Sequence, residues 1–243
     1  MKTVAIIQAR MGSTRLPGKI LKEINGKSLL EYQIERIQRS KIIDDIVIAT
    51  TNKEAEDPII RLCMRLGISY FQGSEDNVLK RYYEAAILNK ADTIVRLTSD
   101  CPLIDPVIMD DVIKYYILNR NSIDYCSNTI ERTYPRGLDV EVFSFVALEA
   151  AFHNAVLSRD REHVTSYIYT NPNLFRVAGI TNEIDLSQYR WTVDENEDFI
   201  LIKKILKNLY IVNKEFLLKD IIQLLKENPE WNEINAKIEQ KKL

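Results

Sequence analysis

Paired thiols, long apolar runs and a strong net charge of either sign are all missing from this chain. Its cysteines, Cys63, Cys101 and Cys126, are odd in number and widely spaced with no C-x-x-C, which fits a reducing compartment. Histidine is scarce as well, with 2 in 243 residues, and His163 has no partner at metal-ligand spacing. No apolar run approaches the roughly 18 residues of a membrane span. The amino terminus lacks the cationic start, apolar stretch and small-residue cleavage site of a secretory signal, so a cytoplasmic protein with no membrane partner is expected. A formal net charge of −2 and a pI near 5.9 leave no general electrostatic footprint for nucleic acid, so any cationic loop should serve a local ligand.

Two familiar phosphate-binding signatures are also absent. From Gly12 to Gly18-Lys19 there are five intervening residues rather than four, and Ile20 stands where a P-loop needs a magnesium-binding Ser or Thr. No G-x-G-x-x-G follows the first apolar run, which removes the main support for a dinucleotide site.

What the chain does have is a buried-strand pattern over residues 3–7 emptying into Gln8-Ala9-Arg10-Met11-Gly12-Ser13-Thr14-Arg15-Leu16-Pro17-Gly18-Lys19. Glycine lets backbone amides approach phosphate oxygens, and Arg10, Arg15 and Lys19 supply the charge that neutral donors cannot. The ordinary alternative is a surface loop with solvated cations.

With 46% hydrophobic and 28% charged residues, the chain can bury one large core, and a single domain over 1–243 is expected. Helical spacing unites Leu30, Ile34 and Ile37, then Ile59, Leu62, Cys63 and Leu66, then residues 77–89 and 107–118. Strand patterns fall between them at 46–49, 69–71 and 93–97, and later at 124–128, 138–143 and 189–193. The alternating order implies an α/β fold with a mainly parallel, helix-covered sheet, because parallel neighbours need crossover connections. Ligands bind beyond the carboxyl ends of such strands, where the first loop and Asp100 both emerge.

Asp100 also reads as an ordinary turn residue, and the carboxylates at 194–198 as favourable charge at a helix start; Asp194 fits that second account least, because it ends a strand. Asp100 and Asp194 together suit a hard, oxygen-seeking ion such as Mg2+. In 138–143, period two puts Asp139 and Glu141 on one face, either solvated or forming an acceptor-binding wall beside Arg136. His163 reads either as a structural histidine or as a catalytic base. Residues 216–225 and 231–243 read as helical packing followed by a charged tail without a functional signal.

The stretch from Ile6 to Lys19 resembles the signature of the cytidylyltransferase superfamily that activates acidic sugars such as 3-deoxy-manno-octulosonate and N-acylneuraminate, most closely its SpsF-like branch. Ala49-Thr50-Thr51, Arg96 to Asp105, Asp124 to Asn128, Tyr134 to Phe143, Arg161 to Thr165 and Arg190 to Asp194 carry the resemblance through most of the chain.

The resemblance implies a Rossmann-like nucleotidyltransferase three-layer sandwich with a small projecting dimerisation segment, for which 121–145 is the candidate, and hence a homodimer. It implies that Arg10, Ser13, Arg15 and Lys19 hold the triphosphate of CTP, with Gln8, Ala9, Gly12, Thr14 and Thr50 completing the nucleotide site. Lys19, Arg10 and Asp100 would be catalytic, Asp100 and Asp194 would hold Mg2+, and Arg136, Asp139, Glu141 and His163 are candidates for the small-molecule acceptor. The chain departs from the acidic-sugar enzymes at Asp194-Glu195, where they often carry an Asp-Thr pair before the terminal acidic dipeptide. Two other classes stay open: a sugar-nucleotide-dependent glycosyltransferase, disfavoured because the chain has no D-x-D, and a non-catalytic nucleotide-binding protein.

Overall fold

The computed structural model describes residues 1–239, so the last four residues of the expected charged tail lie outside the described residues. Its strands and helices follow as β1 Thr3–Gln8, β2 Glu23–Ile24, β3 Lys27–Ser28, α1 Leu29–Ile37, β4 Asp45–Thr51, α2 Asp57–Leu66, β5 Ser69–Gly73, α3 Val78–Leu88 and β6 Thr93–Thr98. They continue as α4 Pro106–Asn119, β7 Tyr125–Ser127, β8 Glu141–Ser144, α5 Phe145–Asn154, α6 Ser158–Glu162, α7 Ser166–Tyr169, β9 Val177–Gly179, α8 Asn196–Val212 and α9 Leu218–Glu227. Local chemistry sets several boundaries. Ser28 caps α1 by accepting from the Glu31 amide, and Asp105 caps α4 by accepting from the Val107 and Ile108 amides, with Pro106 opening the helix.

The main sheet has the order β5-β4-β1-β6-β8-β7-β9. β5, β4, β1 and β6 run parallel, β8 is antiparallel to both its neighbours, and β7 and β9 are parallel to each other. β1 alternates its side chains between two cores. Ala5 and Ile7 pack with Leu30, Ile34, Ile59, Met109 and Val112 on one face, and Val4 and Ile6 with Tyr82, Ala85, Ala147 and Leu148 on the other. Helices thus cover both faces of a mainly parallel sheet, as the alternating pattern required, in the three-layer arrangement the resemblance implied. A third core joins Trp191, Val193, Leu201, Ile205 and Phe216 to Leu29, Leu103 and Leu138. Among the described residues no helix is long and apolar enough to cross a membrane.

The sheet order places the site. From β1 the chain moves to β4 and β5 on one side, and then returns to β6 on the other side of β1. The crevice of such a sheet opens outside the carboxyl ends of strands whose connections diverge, here β1 and β6.

Two expectations need correction. Residues 189–193 are not a strand but form a single bridge, Arg190 to Arg136. Their hydrogen bonds are split between two partners, with Trp191 N–H donating to Arg136 O at 2.7 Å and Val193 N–H to Asp100 O at 2.8 Å, so no ladder can extend. The 138–143 strand is ladder only from Glu141 onward; Leu138, Val140 and Val142 are buried as the alternation required, but Glu141 is buried too. The 121–145 stretch contains β7 and β8 inside the main sheet, and Asn128, Leu138 and Val140 between those strands are buried.

Candidate active site

The loop after β1 is held in place by the backbone of β4 and by one buried acid. Ala9 N–H donates to Ala49 O at 3.1 Å, and Met11 N–H donates to the Glu56 carboxylate at 2.9 Å. Glu56 is 3% exposed and also accepts from the Thr50 and Thr51 hydroxyls at 3.2 and 3.1 Å. Thr50 therefore supports the loop from beneath and does not line the cleft, a different place from the nucleotide contact expected of it. The loop ends at Gly18, whose φ of +64° turns the chain into a short 3-10 turn, Lys19–Leu21. A side chain is strained at that φ. Ile20 is buried at 1% exposure and anchors the turn, so Lys19 is presented from a fixed backbone.

Lys19 meets both carboxylates. Its Nζ donates to Asp100 Oδ2 at 2.9 Å and to Asp194 Oδ1 at 2.8 Å. Asp100 arrives from the end of β6, and Asp194 from the extended segment that Arg136 and Asp100 hold through backbone bonds. Arg15 lies 3.0 Å from Asp194 and 3.0 Å from Glu195. Arg190 donates to Asp194 at 2.8 Å and to Asp198 at 3.0 Å, and Asp198 also accepts from the Asp194 and Glu195 amides as it caps α8. Asp198 thus does serve the helix start, as its position suggested, while Asp194 belongs to the cleft.

Burial acts most strongly on Asp194 and favours its neutral form, but Lys19, Arg15 and Arg190 outweigh it and hold the carboxyl below the usual carboxylate range. Burial likewise works against the Lys19 ammonium, and Asp100 and Asp194 outweigh that and raise its pKa. The stability these ion pairs contribute is complete above the carboxylate's unfolded pKa and below that of lysine, roughly pH 4 to 10. It fades as pH falls through the depressed Asp194 value, and as pH rises through the elevated Lys19 value. The melting-temperature gap between the wild type and Asp194→Asn is therefore expected to be constant near neutrality and to close below about pH 4. A gap that widens on acidification overturns the assignment.

The cleft around this centre has a volume of about 630 Å³ and is lined by Gln8, Ala9, Arg10, Gly12, Ser13, Thr14, Arg15, Lys19, Asp100, Asp194 and His163, all of them expected from the sequence. Burial, the largest influence on His163, lowers its pKa, so the imidazole is neutral at pH 7. The cleft also includes residues given no site role from the sequence, namely Glu75 and Arg81, and Ser99 and Arg161 from the stretches that carry the resemblance. Cys101 is chemically quiet, since burial, reinforced by Asp100 and Asp139, raises its thiol pKa well above the ordinary value.

Three expected acceptor residues lie elsewhere. Arg136 lines a separate cavity of about 460 Å³ with Tyr189, Arg190, Trp191 and Asn235. Asp139 is committed to Arg132 through two bonds of 2.6 and 2.8 Å. Glu141 is inside the wall, paired with Arg96 and Thr165 and accepting from the Tyr125 hydroxyl at 2.7 Å. Arg96 in turn donates to Gln8 Oε1 at 3.1 Å, so the pair fixes a side chain of the cleft. Because a guanidinium only donates, Gln8 must face it with oxygen and turn its amide N–H groups elsewhere. Glu141→Ala is expected to cost about 3 kcal/mol, since it leaves a buried guanidinium uncompensated. Chemical denaturation measures this, and a loss below about 1 kcal/mol contradicts it.

Arg96 and Arg190 open stretches that carry the resemblance, but nothing in the spacing of those two or of Glu56 names the residue each one acts on. Each acts on a residue distant in sequence, and only the packed sheet shows the pairing.

A sequence profile of the family described as cytidylyltransferase matches residues 4–243. An uncharacterized protein of Methanocaldococcus jannaschii is 40% identical over 243 residues, covering 99% of this chain and 97% of the relative. The spore coat polysaccharide biosynthesis protein SpsF of Bacillus subtilis is 34% identical over 232 residues, with 93% and 94% covered. The solved structure of a cytidylyltransferase from Leptospira borgpetersenii superposes with a TM-score of 0.91 at 36% identity and covers 100% of both chains. With the profile spanning nearly every residue and the fold shared from end to end, the chain belongs to the cytidylyltransferase family.

Proposed function

We propose that this protein transfers CMP from CTP to an acidic-sugar acceptor, a precursor of a surface polysaccharide, and releases pyrophosphate. The observation that carries the reading is the meeting of Lys19 with Asp100 and Asp194 at the carboxyl ends of the strands, in a cleft walled by the glycine-containing cationic loop. The acceptor hydroxyl releases its proton to solvent as its oxygen forms a bond to the α-phosphorus, the bond to the β-phosphate oxygen breaks in line, and the electron pair departs on pyrophosphate. Such chemistry depends on positioning and charge neutralisation more than on covalent participation by the protein.

Arg10, Arg15 and Lys19 bind the triphosphate and offset the charge that develops on the leaving group. Glycine at position 12, where a side chain would stand in open space, lets the loop backbone come close to the same oxygens, and His163, which also lines the cleft, is the candidate to accept a hydrogen bond from the attacking hydroxyl. Asp100 and Asp194 fit a divalent cation, because their oxygens already converge on one charged nitrogen and supply the oxygen donors that Mg2+ prefers. When bound there, Mg2+ supplies Lewis-acid neutralisation of phosphate oxygens. Membership of the SpsF-containing family and the loop's resemblance to acidic-sugar enzymes support the choice of acceptor class.

One panel tests the reading: the four nucleoside triphosphates against acidic sugars, sugar phosphates and small phosphonates, with pyrophosphate release and product mass recorded. CTP with an acidic sugar is expected to give the CMP conjugate. Preference for another base or acceptor corrects that part of the assignment, and binding of CTP without pyrophosphate release from any combination identifies a binding module.

A further inference from the structure

We propose that Lys19 is a resident counter-cation for Asp100 and Asp194, which a divalent metal ion replaces only when a polyphosphate takes over the ammonium. This inference rests on the metal assignment above, but not on the identity of the base or the acceptor.

Three observations carry it. First, Lys19 is mostly enclosed, with its side chain 12% exposed, and its Nζ reaches one oxygen of each carboxylate at 2.9 and 2.8 Å. An ammonium there covers one oxygen of each carboxylate and fills the place between them that a cation held by both would occupy, and two cations that close repel strongly in a partly dry site. Second, Asp194 Oδ1 is shared with Arg15, whose other arm is on Glu195, so the loop's cations are tied to the carboxylate side of the cleft at two points. Third, Arg190 differs from both. Its side chain is 8% exposed and bound to the fully buried Asp198 as well as to Asp194, so it holds Asp194 in place while Lys19 and Arg15 are exchanged.

A polyphosphate offers Lys19 and Arg15 new oxygen partners within the same cleft. Their transfer frees Asp100 and Asp194 together. Metal and polyphosphate then favour each other reciprocally, because each removes the competitor of the other. Neither carboxylate has to move far, and no proton is gained or lost, since Lys19 stays charged throughout.

The test uses Mn2+ alone, titrated into the full-length protein and followed by the loss of the free-ion electron paramagnetic resonance signal. In the wild type, Mn2+ alone is expected to bind weakly. Lys19→Met removes the competing ammonium and is expected to tighten Mn2+ binding at least tenfold in the absence of any nucleotide. Adding Asp100→Asn to that variant is expected to abolish the gain. Inorganic tripolyphosphate is expected to tighten Mn2+ binding in the wild type beyond what its own chelation accounts for, and to lose that effect in Lys19→Met. Lys19→Gln carries the same expectation and serves if the methionine variant does not melt cooperatively. Mn2+ binding by the lysine variants that is no tighter than in the wild type overturns the proposal. Because neither CTP nor an acceptor enters the titration, a wrong base or acceptor leaves this result standing, and a failed exchange leaves the transferase reading intact.

Discussion

Pyrophosphate release by Lys19→Ala is expected to fall at least about 10³-fold below the wild type with both substrates saturating, while the protein still folds. The size follows from what the side chain does. It is the most enclosed of the loop's three cations and is delivered by the buried Ile20 turn beyond Gly18, so no neighbouring cation can take its place. A preorganised charge aimed at a developing negative charge is worth far more in a water-poor cleft than on a surface. Asp100→Ala is expected to cause a loss of the same order by removing the other half of the pair. Circular dichroism and thermal melting confirm the fold, and turnover within tenfold of the wild type by either variant removes that residue from the mechanism. With Lys19→Met the contrast is sharper, since metal binding should tighten while turnover collapses.

The largest structural effect is expected at a residue with no reactive group. Gly137 has a φ of +99°, and a Cβ there would lie 2.6 Å from the Trp191 carbonyl carbon and 2.7 Å from the Thr192 nitrogen. Those atoms are backbone and cannot rotate away. Gly137→Ala therefore combines a strained backbone conformation with an overlap, for a cost of roughly 3 kcal/mol or more. For a chain of this size that corresponds to a fall in melting temperature of about 6–12 °C. The segment it displaces runs from Trp191, whose N–H bonds Arg136 O, to Val193, whose N–H bonds Asp100 O, and on to Asp194. Turnover is expected to fall along with stability, even though Gly137 is not among the residues lining the cleft. A variant with an unchanged melting temperature shows that the Trp191 segment can shift freely, and contradicts its role in placing Asp194.

The loop from Gln8 to Lys19 was legible because its information is local. Glycines, small hydroxyl residues and cations following an apolar strand express their chemistry within a dozen residues. The layered fold was legible for a similar reason: period-two and helical spacing are properties of contiguous sequence, and alternating strands and helices permit few architectures. The inward face of Leu138, Val140 and Val142 followed from the same rule.

At Glu141 the alternation held as well, setting it on the face opposite Val140 and Val142, but alternation reports a face and not what fills it, and that face is covered too. A carboxylate buried there is stable only if a cation is there to meet it, and Arg96 on β6 supplies one from the neighbouring strand. Residues 189–193 carry the aromatic and β-branched residues that favour a strand, Tyr189, Trp191, Thr192 and Val193, but their hydrogen bonds are divided between Arg136 and Asp100, and sequence does not carry such partners.

By itself the sequence determined the α/β class, the cationic loop after the first strand and the two carboxylates worth attention, since each follows from composition and spacing over short stretches. The tertiary structure alone decided that Lys19 stands between Asp100 and Asp194, residues 81 and 175 positions away, and that Glu56, Arg96, Gly137 and Arg190 hold that centre in place. The physical reason is that ion pairing and steric contact act over a few ångströms of space, and the sheet order, which no local pattern encodes, sets which distant residues come that close.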